Sequence, residues 1–161
     1  MQRLQRGDGT AKLVPSDVSV DIPAYLPDTY IPSQDAKLDV YRRLTRMDDP
    51  AEIDALKAEV RDRFGPLPPP AEAFFAVAVL RIVGGILRIE GILVRGEDAR
   101  ITFREDAVPR LKGLSAAFHD VQFQTDVRRT QPLSLKLTRL GGVELLDGVV
   151  RALRSLTSSI T

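Results

Sequence analysis

The chain has 161 residues, 43% hydrophobic and 28% charged, and its 23 Lys and Arg against 22 Asp and Glu leave a formal charge of +1. This is the composition of one ordinary globular domain, and its charge balance selects neither nucleic acid nor an anionic membrane as a partner. With no cysteine and a single histidine, His119, the chain has no disulfide framework, thiol nucleophile, thiolate zinc site or multi-histidine metal site of its own.

No apolar run reaches the roughly 20 residues that cross a bilayer; the stretch near Ala73 to Leu80 is broken by Arg81 and by Gly84-Gly85. Residues 1–16 read as a flexible leader, since Arg3, Arg6 and Lys12 stand among glycines without the apolar centre of a signal peptide. Residues 17–156 read as a single domain and 157–161 as a tail that frays.

Val18 and Val20 alternate with Ser19 and Asp21, a short strand closed by Ile22-Pro23. Pro23, Pro27 and Pro32 then forbid a helix and hold an extended strap. Its Tyr25, Leu26, Tyr30 and Ile31 are expected to pack over the domain with the tyrosine hydroxyls at the surface. Ser33 is read as the N-cap of a first helix with Leu38, Tyr41 and Leu44 on its apolar face. Asp49-Pro50, a cap followed by proline at the first helical position, starts a second; Ile53, Leu56, Val60 and Phe64 form its stripe and Gly65-Pro66 ends it. A third helix begins near Pro70 and runs through Phe74, Val77, Leu80 and Arg81 towards Leu87. Its apolar residues go most of the way round, the pattern of a central buried helix. Gly84-Gly85 predicts a kink, an early end or close packing against another backbone.

From Glu90 the period becomes two. Ile92-Leu93-Val94, a turn at Gly96-Glu97-Asp98, and Ile101-Thr102-Phe103 form a hairpin. Asp106 is read as the cap of a helix from Ala107 to Phe118 with Val108, Leu111 and Leu114 on one face. Strands at Val121–Gln124 and Leu133–Leu137, joined by a turn from Asp126 to Gln131, make a second hairpin. Gly141-Gly142 precedes a last amphipathic helix through Val143, Leu146, Val149, Val150 and Leu153. The reading is an α+β domain: three N-terminal helices, then two hairpins forming a small, mostly antiparallel sheet, with an intervening helix and a C-terminal helix.

Chemistry is sparse. Gly84, Gly85 and Gly91 follow a helix and lack the spacing of a phosphate loop. The pairs Asp48-Asp49, Glu97-Asp98 and Glu105-Asp106 sit at turns and helix starts, which accounts for them as caps. His119 falls at a helix end without a nucleophile in a recognisable arrangement. The clusters Arg42-Arg43-Arg46, Arg128-Arg129 and Arg151-Arg154 read as solvated faces, or, in the runner-up reading, as an accessory nucleic-acid module. One arrangement stands apart. Glu52, Glu59 and Asp62 share one side of the second helix, with Asp62 near the C-terminal end where the helix dipole disfavours a carboxylate. Two readings stay open for it: a solvated face, or an acidic docking face for a basic partner.

The run Ile22-Pro23-Ala24-Tyr25-Leu26-Pro27-Asp28-Thr29-Tyr30-Ile31-Pro32, then Tyr41-Arg42-Arg43-Leu44, then Asp62-Arg63-Phe64-Gly65-Pro66-Leu67-Pro68 resembles the C-terminal domain of the bacterial transcription-repair coupling factors, the Mfd family. The likeness extends over Val18 to Leu156. It implies a cytoplasmic fragment of an ATP-driven DNA translocase that removes stalled RNA polymerase and recruits nucleotide excision repair. The fragment itself would have no catalytic activity and no cofactor, ATP and Mg serving only the parent's motor. In the family this domain docks on a UvrB-like N-terminal domain, masks the surface that recruits UvrA, and represses the translocase, without contact to DNA or membrane. By alignment through Arg63-Phe64-Gly65, the family's acidic contact residues fall on Glu59 and Asp62.

Overall fold

The computed structural model describes residues 13–107, 111–128, 132–140 and 144–160. The elements, in chain order, are β1 (Asp17–Val20), α1 (Gln34–Leu44), α2 (Pro50–Phe64), α3 (Pro69–Ile86), β2 (Ile89–Arg95), β3 (Asp98–Phe103), α4 (Leu111–Asp120), β4 (Phe123–Arg128), β5 (Ser134–Arg139) and α5 (Leu145–Ile160). The strands form one mixed sheet in the order β1-β2-β3-β5-β4. Both predicted hairpins are present and pair with each other through β3 and β5, which run antiparallel. Strand β1 joins as a parallel edge along β2, with Val18 opposite Ile92 and Val20 opposite Val94, an arrangement that the alternation Val18, Val20 did not disclose. Parallel neighbours require a long crossover, and α1, α2 and α3 supply it.

One face of the sheet is dry. Ile92, Ile101 and Leu135 line up across β2, β3 and β5, as do Val94, Ala99 and Leu137 in the next row, and all six are buried. Helix α3 packs on β1 and β2, α4 packs on β4, and α5 packs against both helices. The opposite face carries Arg100 beside Lys136 and Lys136 beside Asp126, so alternation within each strand separates core from solvent.

Helix α3 is the central helix its composition suggests. Phe75, Leu80 and Val83 are almost fully covered. By length and apolarity alone it would also pass for a membrane span, but here its apolar side chains belong to the core shared with α2, α5 and the sheet. Of the three outcomes expected at Gly84-Gly85, close packing is the one found: the helix continues to Ile86, and residues 13–16 lie against the pair. A Cβ on Gly84 would drive into the Ser16 side chain, and one on Gly85 would come 2.7 Å from the Val14 carbonyl oxygen. Ser16 itself is buried; its N–H donates to the Arg81 carbonyl at 3.0 Å and its hydroxyl to the Ile89 carbonyl at 2.5 Å. The last residues of the predicted leader are therefore structural.

The strap behaves as half expected. Leu26 and Ile31 are buried, and the Tyr25 N–H donates to the Pro70 carbonyl at 3.1 Å. Tyr25, however, is 52% exposed, and the Tyr30 hydroxyl donates to the Gly65 carbonyl at 2.7 Å in a partly buried setting. The apolar face assigned to α1 is also corrected. Leu38 and Tyr41 are exposed, and the side chain driven into the core is Val40, with Ala36 and Leu44 beside it. A three-residue spacing falls back about 60° at each step, so Leu38 and Leu44 stand about 120° apart around the helix. Positions 36, 40 and 44, four apart, hold a narrower line, and that line faces inward.

In the C-terminal half, β4 runs on to Arg128, where the sequence reading placed a turn, and begins at Phe123, because Gln122 has a φ of 61° that interrupts an extended start at Val121. Helix α4 is described from Leu111, and the Asp106 carboxylate pairs with Arg88; the residues whose N–H groups Asp106 would cap fall within 108–110, outside the described residues. Helix α5 continues to Ile160, past Thr157, whose hydroxyl donates to the Arg154 carbonyl at 2.7 Å. Val108, Arg129, Gly141, Gly142 and Val143 lie outside the described residues.

Candidate interaction surface on the second helix

Helix α2 is set by local chemistry at both ends. Asp49 accepts a hydrogen bond from the Ala51 N–H at 2.9 Å, Pro50 occupies the first turn where its missing N–H costs nothing, and Gly65 closes the helix at a φ of 93°, open to glycine at little strain. Ile53, Leu56 and Val60 are buried, as their spacing predicts, and Phe64 packs half-buried against Tyr30 with ring centroids 6.0 Å apart. Fixing that stripe inward fixes Glu52, Glu59 and Asp62 outward. All three are exposed.

Their electrostatic states differ. Glu59 is held by Arg43 of α1 through both carboxylate oxygens: Nη1 donates to Oε2 at 2.5 Å and Nη2 to Oε1 at 2.9 Å. The hydrogen bond from Arg43 keeps the Glu59 carboxyl below its ordinary value, and Glu59 in turn raises the Arg43 guanidinium. Asp39, one turn earlier on α1, stands 3.7 Å from the same guanidinium. Asp62 and Glu52 make no ion pair or side-chain hydrogen bond among the described residues. Beside Asp62, the Arg63 guanidinium lies 4.9 Å from the centre of the Phe64 ring.

On the opposite flank α2 borders a cleft of about 620 Å³ shared with α3 and α5. Asp54 receives a two-pronged bond from Arg154 of α5, at 2.9 and 2.6 Å, and Lys57 pairs with Glu72 of α3 at 2.6 Å. These are ties between helices, and they pair four of the charged side chains that line the cleft.

The remaining candidates disperse. Asp49 is a cap, Asp98 accepts from the Thr138 hydroxyl at 2.9 Å across the sheet, and Asp106 pairs with Arg88. His119 is exposed in the last turn of α4. No three acidic or histidine side chains converge as a metal site among the described residues. Of the arginines assigned to a nucleic-acid module, Arg151 pairs with Asp147 at 3.3 Å and Arg154 with Asp54, while Arg128 sits at the end of the edge strand β4. What sequence reasoning missed is the role of Arg43. Proximity in the chain groups it with Arg42 and Arg46, and a contact to Glu59 on the next helix has no local signal.

Fold and surface together define a small α+β domain, a helical layer on one face of a mixed sheet, whose outer helix presents carboxylates to solvent. The TRCF domain family model matches residues 20–114. The transcription-repair-coupling factor of Bacillus subtilis is 32% identical over 98 residues, 61% of this chain and 8% of that protein. That of Myxococcus xanthus is 28% identical over 148 residues, 88% of this chain and 12% of that protein. The crystal structure of the C-terminal domain of a transcription-repair coupling factor superposes with a TM-score of 0.72 at 18% identity, covering 92% of this chain and 98% of that one. The chain belongs to the TRCF domain family, the C-terminal domain of transcription-repair coupling factors, and spans about a tenth of the length of these two relatives.

Proposed function

We propose that this domain is a non-catalytic latch of a cytoplasmic coupling factor: it docks through the acidic face of α2 on the UvrB-like N-terminal domain of the same parent, masks the surface that recruits UvrA, and holds the ATP-driven translocase in check until stalled RNA polymerase is engaged. The observation that carries the reading is the exposure of Glu52, Glu59 and Asp62 on one helix face, two of them without an ion-pair partner among the described residues. Family membership supports it: α2 lies within the stretch that matches the family, whose acidic contacts are expected at Glu59 and Asp62. Carboxylates left in solvent cost the fold little and give a basic surface something to bind. A contact of few charge pairs is weak enough to be displaced by a competing ligand, as a latch must be.

Calorimetric titration against the separately expressed UvrB-like domain at two salt concentrations tests this. Reversing both charges, Glu59→Lys with Asp62→Lys, is expected to weaken salt-sensitive docking by at least about ten-fold, through the juxtaposition of like charges. Unchanged affinity in the double reversal would sink the reading. Tight, steeply salt-dependent binding to duplex DNA with no docking would move the function to the arginines of α5 and β4.

A further inference from the structure

Arg43 holds both oxygens of Glu59, and its Nη1 also stands 3.7 Å from the Asp39 carboxylate. A partner guanidinium that is to grip Glu59 in the same two-pronged way finds the carboxylate's fork already filled. Asp62, three residues along the same helix, is exposed and without an ion pair among the described residues, and so is Glu52. We propose that Arg43 is an internal competitor for Glu59, a resident cation that the docking partner must displace, so that the strength of docking is set partly by a residue on the neighbouring helix that opposes it. The inference rests on the docking reading above and deepens it.

The exchange is physically inexpensive. The side chains of Arg43 and Glu59 are 37% and 49% exposed, so neither charge is stranded when the pair opens. Asp39 receives the released guanidinium one turn away, which keeps it from being left without a counter-charge. Docking thus trades one ion pair for another, and the net gain at Glu59 is smaller than at Asp62, which has no ion pair among the described residues to give up. The energetic asymmetry makes Asp62 the primary anchor and Glu59 a conditional one.

The test is a mutant cycle read by the same titration. Arg43→Gln frees Glu59 and is expected to tighten docking about two- to five-fold, the worth of an exposed ion pair. Arg43→Lys keeps the positive charge but loses the fork, and should tighten docking less than Arg43→Gln. Glu59→Gln should cost little affinity in the native background and more in the Arg43→Gln background, whereas the cost of Asp62→Asn should be the same in both. Far-ultraviolet circular dichroism and thermal unfolding of each variant show whether the helices remain. If Arg43→Gln weakens docking or leaves it unchanged while the Glu59, Asp62 double reversal abolishes it, the competitor role is wrong and Arg43 is a positioning residue or a bystander. If the double reversal also changes nothing, the docking reading falls and this inference with it.

Discussion

The two flanks of α2 carry the same kinds of side chain and use them differently. On the flank facing the cleft, Asp54 and Lys57 are tied to α5 and α3. On the outer face, Glu52 and Asp62 have no partner among the described residues, and Glu59 is tied only to α1. Charge by itself therefore says nothing about role. What separates a structural carboxylate from an available one is whether a neighbouring element packs close enough to supply a cation: α5 does so for Asp54 and α1 for Glu59, while Glu52 and Asp62 face solvent.

The contrast can be broken most severely from beneath. Leu56, 1% exposed, anchors the stripe that orients both flanks, and Leu56→Ala should cost about 2–5 kcal/mol in urea unfolding through lost burial and the cavity left behind. A loss well under that range would mean that α2 is not locked by its core line, and that the outward placement of the acids is not fixed. Next in size, Arg154→Ala removes the α5 tie and the packing of its stem, and should lower stability by about 0.5–1 kcal/mol, since the pair is partly exposed. By contrast, Glu52→Gln and Asp62→Asn should change stability by no more than about 0.5 kcal/mol. A larger loss from either would show that the outer face is structural after all. The smallest effect concerns pH. Glu59 has its carboxyl lowered by Arg43, so its contribution is present above the ordinary carboxylate range and is lost as the pH falls through the lowered value. The stability difference between the native chain and Arg43→Gln should accordingly be measurable near neutrality and close to zero well below about pH 4.

What could be read in advance follows the range of the interaction. The caps at Ser33 and Asp49, the stripe of α2, the turn at Gly96 and the end at Gly65 are local, and the structure has each of them. The acidic face of α2 follows from that stripe by helix geometry alone. The misreadings come from contacts made far along the chain. Val40 is buried instead of Leu38 because of where α1 meets the rest of the fold, and a short helix with few apolar residues does not announce which line will be used. Arg43 and Glu59 are 16 residues apart, and the angle between their helices decides whether they touch. Strand β1 finds its partner across three intervening helices, a pairing that no alternation pattern specifies.

That last pairing has a consequence for how the chain assembles. The bond from the Ser16 hydroxyl to the Ile89 carbonyl joins residues 73 apart, whereas β2 and β3 meet across a two-residue turn. Bringing the ends of so long a loop together costs roughly 4 kcal/mol of chain entropy, beyond a constant, before any contact is returned. The hairpins are expected to form early and the edge strand to arrive once α1, α2 and α3 have shortened the path. If so, exchange of amide hydrogens in β1 should become protected later than in β3 during refolding, and residues 13–20 would act as the closing clasp of the domain, the last piece in and the first to let go.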